Sequence, residues 1–200
     1  FSKVKNIKNF IFLSSISVYG KKNLKIYKEN NRFNKPDIYG QSKRACEKML
    51  QKYEKQNYIN NFKFISIRLP GVVGFGSHGN FISEITKKII SDQKIEVSNK
   101  LSYFNNIVFV DDLAKFILRV IKIKKLKHEF VNLASNKKIR IMDVIKFIYL
   151  RLNTKENVKW IKTKKKSFCI DFSNALKCGY KPVSVKKSLI NFTNDHLKRL

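Results

Sequence analysis

The chain has 200 residues, 43% hydrophobic, 28% charged and 12% aromatic. This composition describes one soluble globular domain of ordinary size and excludes a disordered chain. The 43 basic against 14 acidic residues give +29, a balance that suits either a nucleic-acid binder or an enzyme for anionic substrates.

The basic excess is mostly Lys and is scattered, apart from short clusters at 122–127 and 162–166. With Asn, Ile and Phe also abundant, it reads as codon bias and a solvated surface. No base-reading motif accompanies it, so no nucleic-acid partner is expected. Every apolar run is interrupted well short of the ~20 residues of a membrane helix, and no membrane partner is expected. Cys46, Cys169 and Cys178 form no CxxC pair and no even set, which suggests a reducing, cytoplasmic setting.

In chain order, residues 9–15 (NFIFLSS) read as a buried strand, followed by a polar loop over 20–37. Tyr39, Ala45, Met49, Leu50 and Tyr53 recur near a 3.6 period and predict a helix over 39–56. A second strand over 62–68 stops at Pro70 and Gly71. A glycine-containing loop over 75–80 opens a helix carrying Phe81, Ile82, Ile85, Ile89 and Ile90. Short strands are expected at 95–98 and 107–110. Asp111 and Asp112 then start a helix as N-cap and first-turn acid. A strand at 130–133, a helix at 141–152, a small strand at 158–161 and a tail helix over 184–200 complete the series. Strands alternating with helices predict an α/β chain with a parallel sheet.

The informative stretch is YGQSK, 39–43. Positions four apart on a helix share a face, so Tyr39 and Lys43 project side by side. A phenol is a poor base at neutral pH, and a neighbouring ammonium favours the phenolate. That makes Tyr39 a candidate acid/base and Lys43 the charge that tunes it. Ser14 and Ser15 end the first strand, and strand carboxyl ends are where open α/β sheets bind ligands.

In that order, SSISVYG at 14–20 and YGQSK at 39–43 resemble the NAD-dependent epimerase/dehydratase family, extended short-chain dehydrogenase/reductases. The resemblance continues through RLPGVVG at 68–74, VDDL at 110–113, VNL at 131–133 and DFSNALKCGYKP at 171–182. It implies a Rossmann-like, doubly wound parallel sheet with a small C-terminal α/β substrate-binding region. Residues 1–70 would form the second half of the Rossmann-type domain with the Ser/Tyr/Lys site. Residues 71–200 would be mainly substrate-binding, with interleaved elements returning to the sheet.

Carried over by position, the resemblance makes Ser15, Tyr39 and Lys43 catalytic, and gives Tyr39, Lys43 and Pro70 contact with NAD (or NADP). Ser17, Gly71, His78, Asn80 and Asn105 become substrate-binding candidates for a sugar or nucleotide sugar. His78 reads as a substrate contact or as a solvent-exposed loop histidine, and Tyr19 as a pocket or a packing aromatic. His128 and His196 have no ligand-spaced partners, so no metal is expected.

Departures narrow the reading. The acid and base that dehydratases carry after the catalytic hydroxyl are Ile16 and Ser17, which disfavours dehydration. The family's substrate-contacting Asn is Gly71, and an Arg that often holds the diphosphate is Asn105, which removes a bidentate phosphate contact. Together, 68–74 and 104–106 resemble sugar epimerase/reductase relatives found with surface-polysaccharide genes. The glycine-rich turn that holds the cofactor pyrophosphate is absent, and Phe1 falls just before the family's fifth strand. The expected protein is therefore the C-terminal portion of an NAD(P)-dependent sugar epimerase or reductase, inactive alone and binding NAD(H) weakly, and the resemblance implies a homodimer for the whole enzyme. The rival expectation is a non-catalytic truncated remnant or a basic binding module.

Overall fold

The computed structural model describes residues 7, 9–20, 24–56, 62–123, 128–164 and 166–197. The start at Phe1, most of the 122–127 cluster, Lys165, the His196 side chain and residues 198–200 of the tail helix lie outside the described residues.

The sheet that carries the site has three parallel strands: β1 (Asn9–Ser15), β3 (Lys63–Leu69) and β8 (Phe130–Asn132), with β3 central. Asn9 faces Lys63 and Ser15 faces Leu69 along β1 and β3, while Ser66 to Arg68 pair with Phe130 to Asn132. Phe64 to Arg68 are buried without alternation, as a parallel strand covered on both faces requires. β8 reaches this sheet from the later part of the chain, so the two halves interleave there.

Between β1 and β3 run a 3-10 turn (Ile16–Tyr19), β2 (Ile26–Tyr27) and the long helix α1 (Ile38–Gln56). After β3 come β4 (Gly71–Val73), α2 (Phe81–Ile90), β5 (Ile95–Val97), β6 (Tyr103–Phe104), β7 (Ile107–Phe109) and α3 (Val110–Lys122). Beyond β8 follow β9 (Ile139–Arg140), α4 (Ile141–Leu152), β10 (Val158–Trp160), β11 (Cys169–Ile170), α5 (Ser173–Lys177) and α6 (Val185–Leu197). Four further pairs complete the pattern: β4 with β7, β5 with β10 and β2 with β11 are parallel, β6 with β9 antiparallel.

One core forms where α2, α4 and α6 close over β4 and β7, around Ile82, Ile107, Ile145, Leu189 and Phe192. A second lies between the main sheet and α3, around Ile65, Ile67, Leu113, Phe116 and Val131. Asp111 and Asp112 stand in the first turn of α3, where acids suit the helix dipole. The expected N-cap is corrected: that position is Phe109, with no side-chain cap bond. The polar stretch 20–37 also holds β2, which Cys169 and Ile170 pair with at long range.

A buried polar network crosses the main sheet. Glu47, fully buried on α1, is paired with Arg68 on β3, which is 1% exposed. Arg68 Nε donates to Glu47 Oε1 at 2.8 Å and Nη2 to Oε2 at 2.8 Å. The Ser14 and Ser66 hydroxyls donate to Oε1, each at 2.9 Å. Burial works to raise the Glu47 carboxyl, but the Arg68 hydrogen bonds and charge, with both serines, hold it below the usual range. Arg68 Nη1 continues to the Tyr19 hydroxyl at 2.9 Å, and that hydroxyl donates to Asn132 Oδ1 at 2.8 Å. The Asn132 amide in turn donates to Glu29 Oε1 at 2.8 Å.

Burial pushes the Tyr19 phenol up to about 12. With the unfolded value near 10, its contribution to stability is complete below about pH 10 and is lost as pH rises through about 12. Thermal melts from pH 8 to 12 check this against Tyr19→Phe. The variant loses about 1–3 kcal/mol at neutral pH and has a flatter alkaline limb than the parent.

Candidate functional site

The carboxyl end of β1 sorts two adjacent hydroxyls, because neighbouring strand residues face opposite sides. Ser14 points to Glu47, whereas Ser15 points to a cavity of about 730 Å³. Ser15 Oγ also accepts from the Ser17 amide at 3.1 Å, capping the 3-10 turn. Gly20 closes that turn at φ +70, and a Cβ there would lie 2.0 Å from the Asn34 carbonyl oxygen.

α1 then returns to the same place. Asp37 Oδ1 accepts from the Gly40 amide at 2.7 Å, holding the first turn. A Cβ on Gly40 would lie 2.3 Å from the Ser17 carbonyl oxygen. Helix backbone therefore packs directly on the backbone that follows Ser15. This contact delivers Tyr39, 54% exposed, to the cavity wall that holds Ser15, Ile16 and Ser17.

Lys43 lies behind the phenol and does not line the cavity. Its Nζ donates to the Leu13 carbonyl at 2.9 Å and sits 5.2 Å from the Phe12 ring centre and 5.5 Å from that of Tyr39. An ammonium has three donors, so the Leu13 bond leaves capacity for a ribose hydroxyl. With the Tyr39 hydroxyl, and Leu69 and Pro70 as apolar wall, this donor set fits the ribose-nicotinamide end of a dinucleotide.

Pro70, Gly71, His78 and Asn80 line the same cavity as Ser15, Ser17 and Tyr39. His78 is exposed, with Nδ1 3.3 Å from the Gly76 carbonyl oxygen. Asn80 is occupied as the α2 cap: its Oδ1 accepts from the Ile82 and Ser83 amides, and its Nδ2 donates to the Val72 carbonyl. Asn105 is corrected. It is buried away from the cavity, and both ends of its amide bond the Ile170 backbone, at 2.8 and 2.9 Å. Tyr19 is likewise absent from the lining and serves the buried network.

Sequence reasoning missed Asn106, Phe168, Lys166 and Glu96, which also line the cavity. Asn106 Nδ2 donates to the Phe168 carbonyl at 2.9 Å, joining two loops distant in sequence. The Asn-Asn pair at 105–106 was a usable signal for one of them; nothing local marks Phe168. Among the lining residues, Lys166 is the ammonium, while the one carboxylate, Glu96, is bonded by Lys159 at 2.9 Å. Among the described residues no group of His, Cys, Asp and Glu is placed to hold a metal, and no helix is long and apolar enough to cross a membrane.

Ser15 at the carboxyl end of β1 and Tyr39 in the first turn of α1, with Lys43 behind the phenol, meet at one cavity of an α/β protein. Residues 1–134 match the model of the NAD dependent epimerase/dehydratase family, and the chain belongs to that family. It is 28% identical over 205 residues to an uncharacterized protein of Methanocaldococcus jannaschii, covering 99% of this chain and 62% of the relative. It is 30% identical over 119 residues to protein CapI of Staphylococcus aureus, covering 58% of this chain and 35% of that one.

Among solved structures, UDP-glucuronic acid 4-epimerase from Bacillus cereus, in complex with UDP-glucuronic acid and NAD, superposes with a TM-score of 0.80 at 18% identity. That match covers 99% of this chain and 64% of the other. UDP-N-acetylglucosamine 4-epimerase from Methanobrevibacter ruminantium, in complex with UDP-N-acetylmuramic acid, gives 0.79 at 20%, covering 98% and 64%. These likenesses show the Rossmann-like α/β fold expected from the sequence. The chain spans 62% of the length of the Methanocaldococcus relative and 64% of each of these two structures.

The Gly40 contact generates a test. Gly40→Ala forces the α1 backbone off Ser17 and costs about 1–3 kcal/mol. The melting temperature falls by ~2–4 °C per kcal/mol for a chain of this size; an unchanged melt would mean the two backbones are not in tight contact.

Proposed function

We propose that this chain carries the acid/base and sugar-binding part of an NAD(P)-dependent nucleotide-sugar epimerase or reductase. The observation that carries the reading is the convergence of Ser15 and Tyr39 on one cavity with Lys43 behind the phenol. Ser15 orients and polarises a sugar hydroxyl, and Tyr39 takes its proton. Lys43 sets a positive charge beside the phenol as that proton moves, and with Tyr39 holds the nicotinamide ribose. The nicotinamide, when bound, supplies the hydride acceptor and donor. An epimerase returns the hydride to the opposite face of the sugar; a reductase releases a single redox product.

The cavity composition supports an anionic substrate with an apolar part. Its one lining carboxylate is bonded to Lys159, Lys166 offers positive charge, and Phe104 and Phe168 offer aromatic surface. That suits a nucleoside diphosphate joined to a sugar. Removal of water is not the favoured chemistry, because neither Ile16 nor Ser17 supplies a carboxylic acid beside Ser15. We further propose that the product feeds glycosyl transfer into a surface polysaccharide, in keeping with the motif resemblance at 68–74 and 104–106.

Two substitutions in the enzyme carrying this chain test the reading with UDP-sugars as substrates. Tyr39→Phe lowers kcat by about 10²–10⁴ with little change in KM; retained turnover removes the assignment. Lys166→Gln loosens UDP by about tenfold, the loss of one charge-assisted contact of ~1.5 kcal/mol, and leaves uridine binding unchanged. Equal affinity for UDP in parent and variant, measured by calorimetry, would remove Lys166 from the site.

A further inference from the structure

We infer that Glu47 and Arg68 are positioning residues: their buried, two-pronged ion pair sets where Tyr39 stands relative to Ser15. The chemical use of that placement rests on the function proposed above; the placement itself does not.

Tyr39, Lys43 and Glu47 recur every four residues along α1 and so share one face. Tyr39 and Glu47 are eight residues apart, about 12 Å along the axis, the first in the opening turn and the second midway along a continuous helix. Of the 19 residues of α1, only Gly40, Glu47 and Leu50 are buried. Leu50, with the half-buried Tyr53 three residues on, is a weak guide to how the helix is turned about its own axis, because apolar packing is not directional. The Gly40 contact with Ser17 holds the start of the helix, and directional bonds midway along it fix how it is turned, where Glu47 has five donors upon it. Arg68 gives two, Ser14 and Ser66 one each, and Arg44 Nη1 the fifth, at 3.2 Å.

The placing of those donors is the decisive point. Arg68 and Ser66 lie on the central strand β3, and Ser14 is the residue immediately before Ser15 on β1. One carboxylate therefore refers the helix bearing the phenol both to β1, which carries Ser15, and to its neighbour β3. A planar guanidinium gripping a carboxylate at two points fixes orientation as well as distance. The same pair is a poor choice for stability alone, since buried ion pairs are often replaced by apolar groups without loss.

That last fact supplies the test. The double variant Glu47→Leu with Arg68→Met removes both charges together and leaves apolar groups in their place. It is expected to melt within about 5 °C of the parent. Its crystal structure is expected to show the Tyr39 Oη to Ser15 Oγ separation altered by about 1 Å or more. Turnover of a UDP-sugar by the whole enzyme falls by about 10² in kcat with KM within about threefold. An unaltered separation, or an unaltered kcat, overturns the proposal. Should the double variant fail to fold, Arg68→Lys keeps the charge but loses the fork. A smaller fall in kcat is then expected, and a parental kcat overturns the proposal. If the parent itself turns over no UDP-sugar, the proposed function fails, and the crystallographic separation alone decides the placement.

Discussion

A carboxylate shut away from water governs this structure. Bringing Glu47 into the interior costs several kcal/mol in lost hydration (of order, for a single ion), and the fold answers with two guanidinium groups and two hydroxyls. The consequences spread outward from Arg68. Its other nitrogen reaches Tyr19, which engages Asn132 on β8, and Asn132 is held by Glu29 from the loop before α1. Five separate stretches of the chain are thus tied by bonds that tolerate little misalignment. The apolar cores on either side give the fold its cohesion; this polar seam gives it its angles.

The main outline was legible in the sequence because its elements are long and strongly patterned. NFIFLSS and the run ending at Arg68 read as strands from continuous apolar content, and the α1, α2 and α4 periodicities marked their helices. What escaped were pairings of two or three residues, such as β2 with β11 or β6 with β9. A strand that short has no period to detect, and its existence is decided by a partner more than 100 residues away in the case of β2. The Phe109 position at the head of α3 escaped for a related reason: two acids look like a cap wherever they stand near a helix start, and only geometry says which residue is first.

The site was legible in part. Ser15, Tyr39 and Lys43 stand out in the sequence by residue type at a strand end and at helical spacing, and the structure brings Ser15 and Tyr39 to one cavity with Lys43 behind the phenol. Glu47 did not, because a glutamate on a Lys-rich helix normally faces solvent, and only its hidden partner on β3 shows otherwise. Asn105 was misread because position suggested a replaced phosphate ligand, while its amide is matched to the Ile170 backbone and its neighbour Asn106 faces the cavity. The overall charge of +29 proved less informative than the local balance: what bears on ligand choice is that the cavity's one lining carboxylate is already bonded to Lys159.

The meeting of Gly40 with the Ser17 carbonyl has a wider meaning. A junction made of main chain alone is indifferent to which side chains decorate it. The residues around the cavity mouth can therefore be exchanged, reshaping the space they enclose, while Ser15 and Tyr39 keep their relative placement. A scaffold organised in this way separates the shape of its opening from the anchoring of its floor.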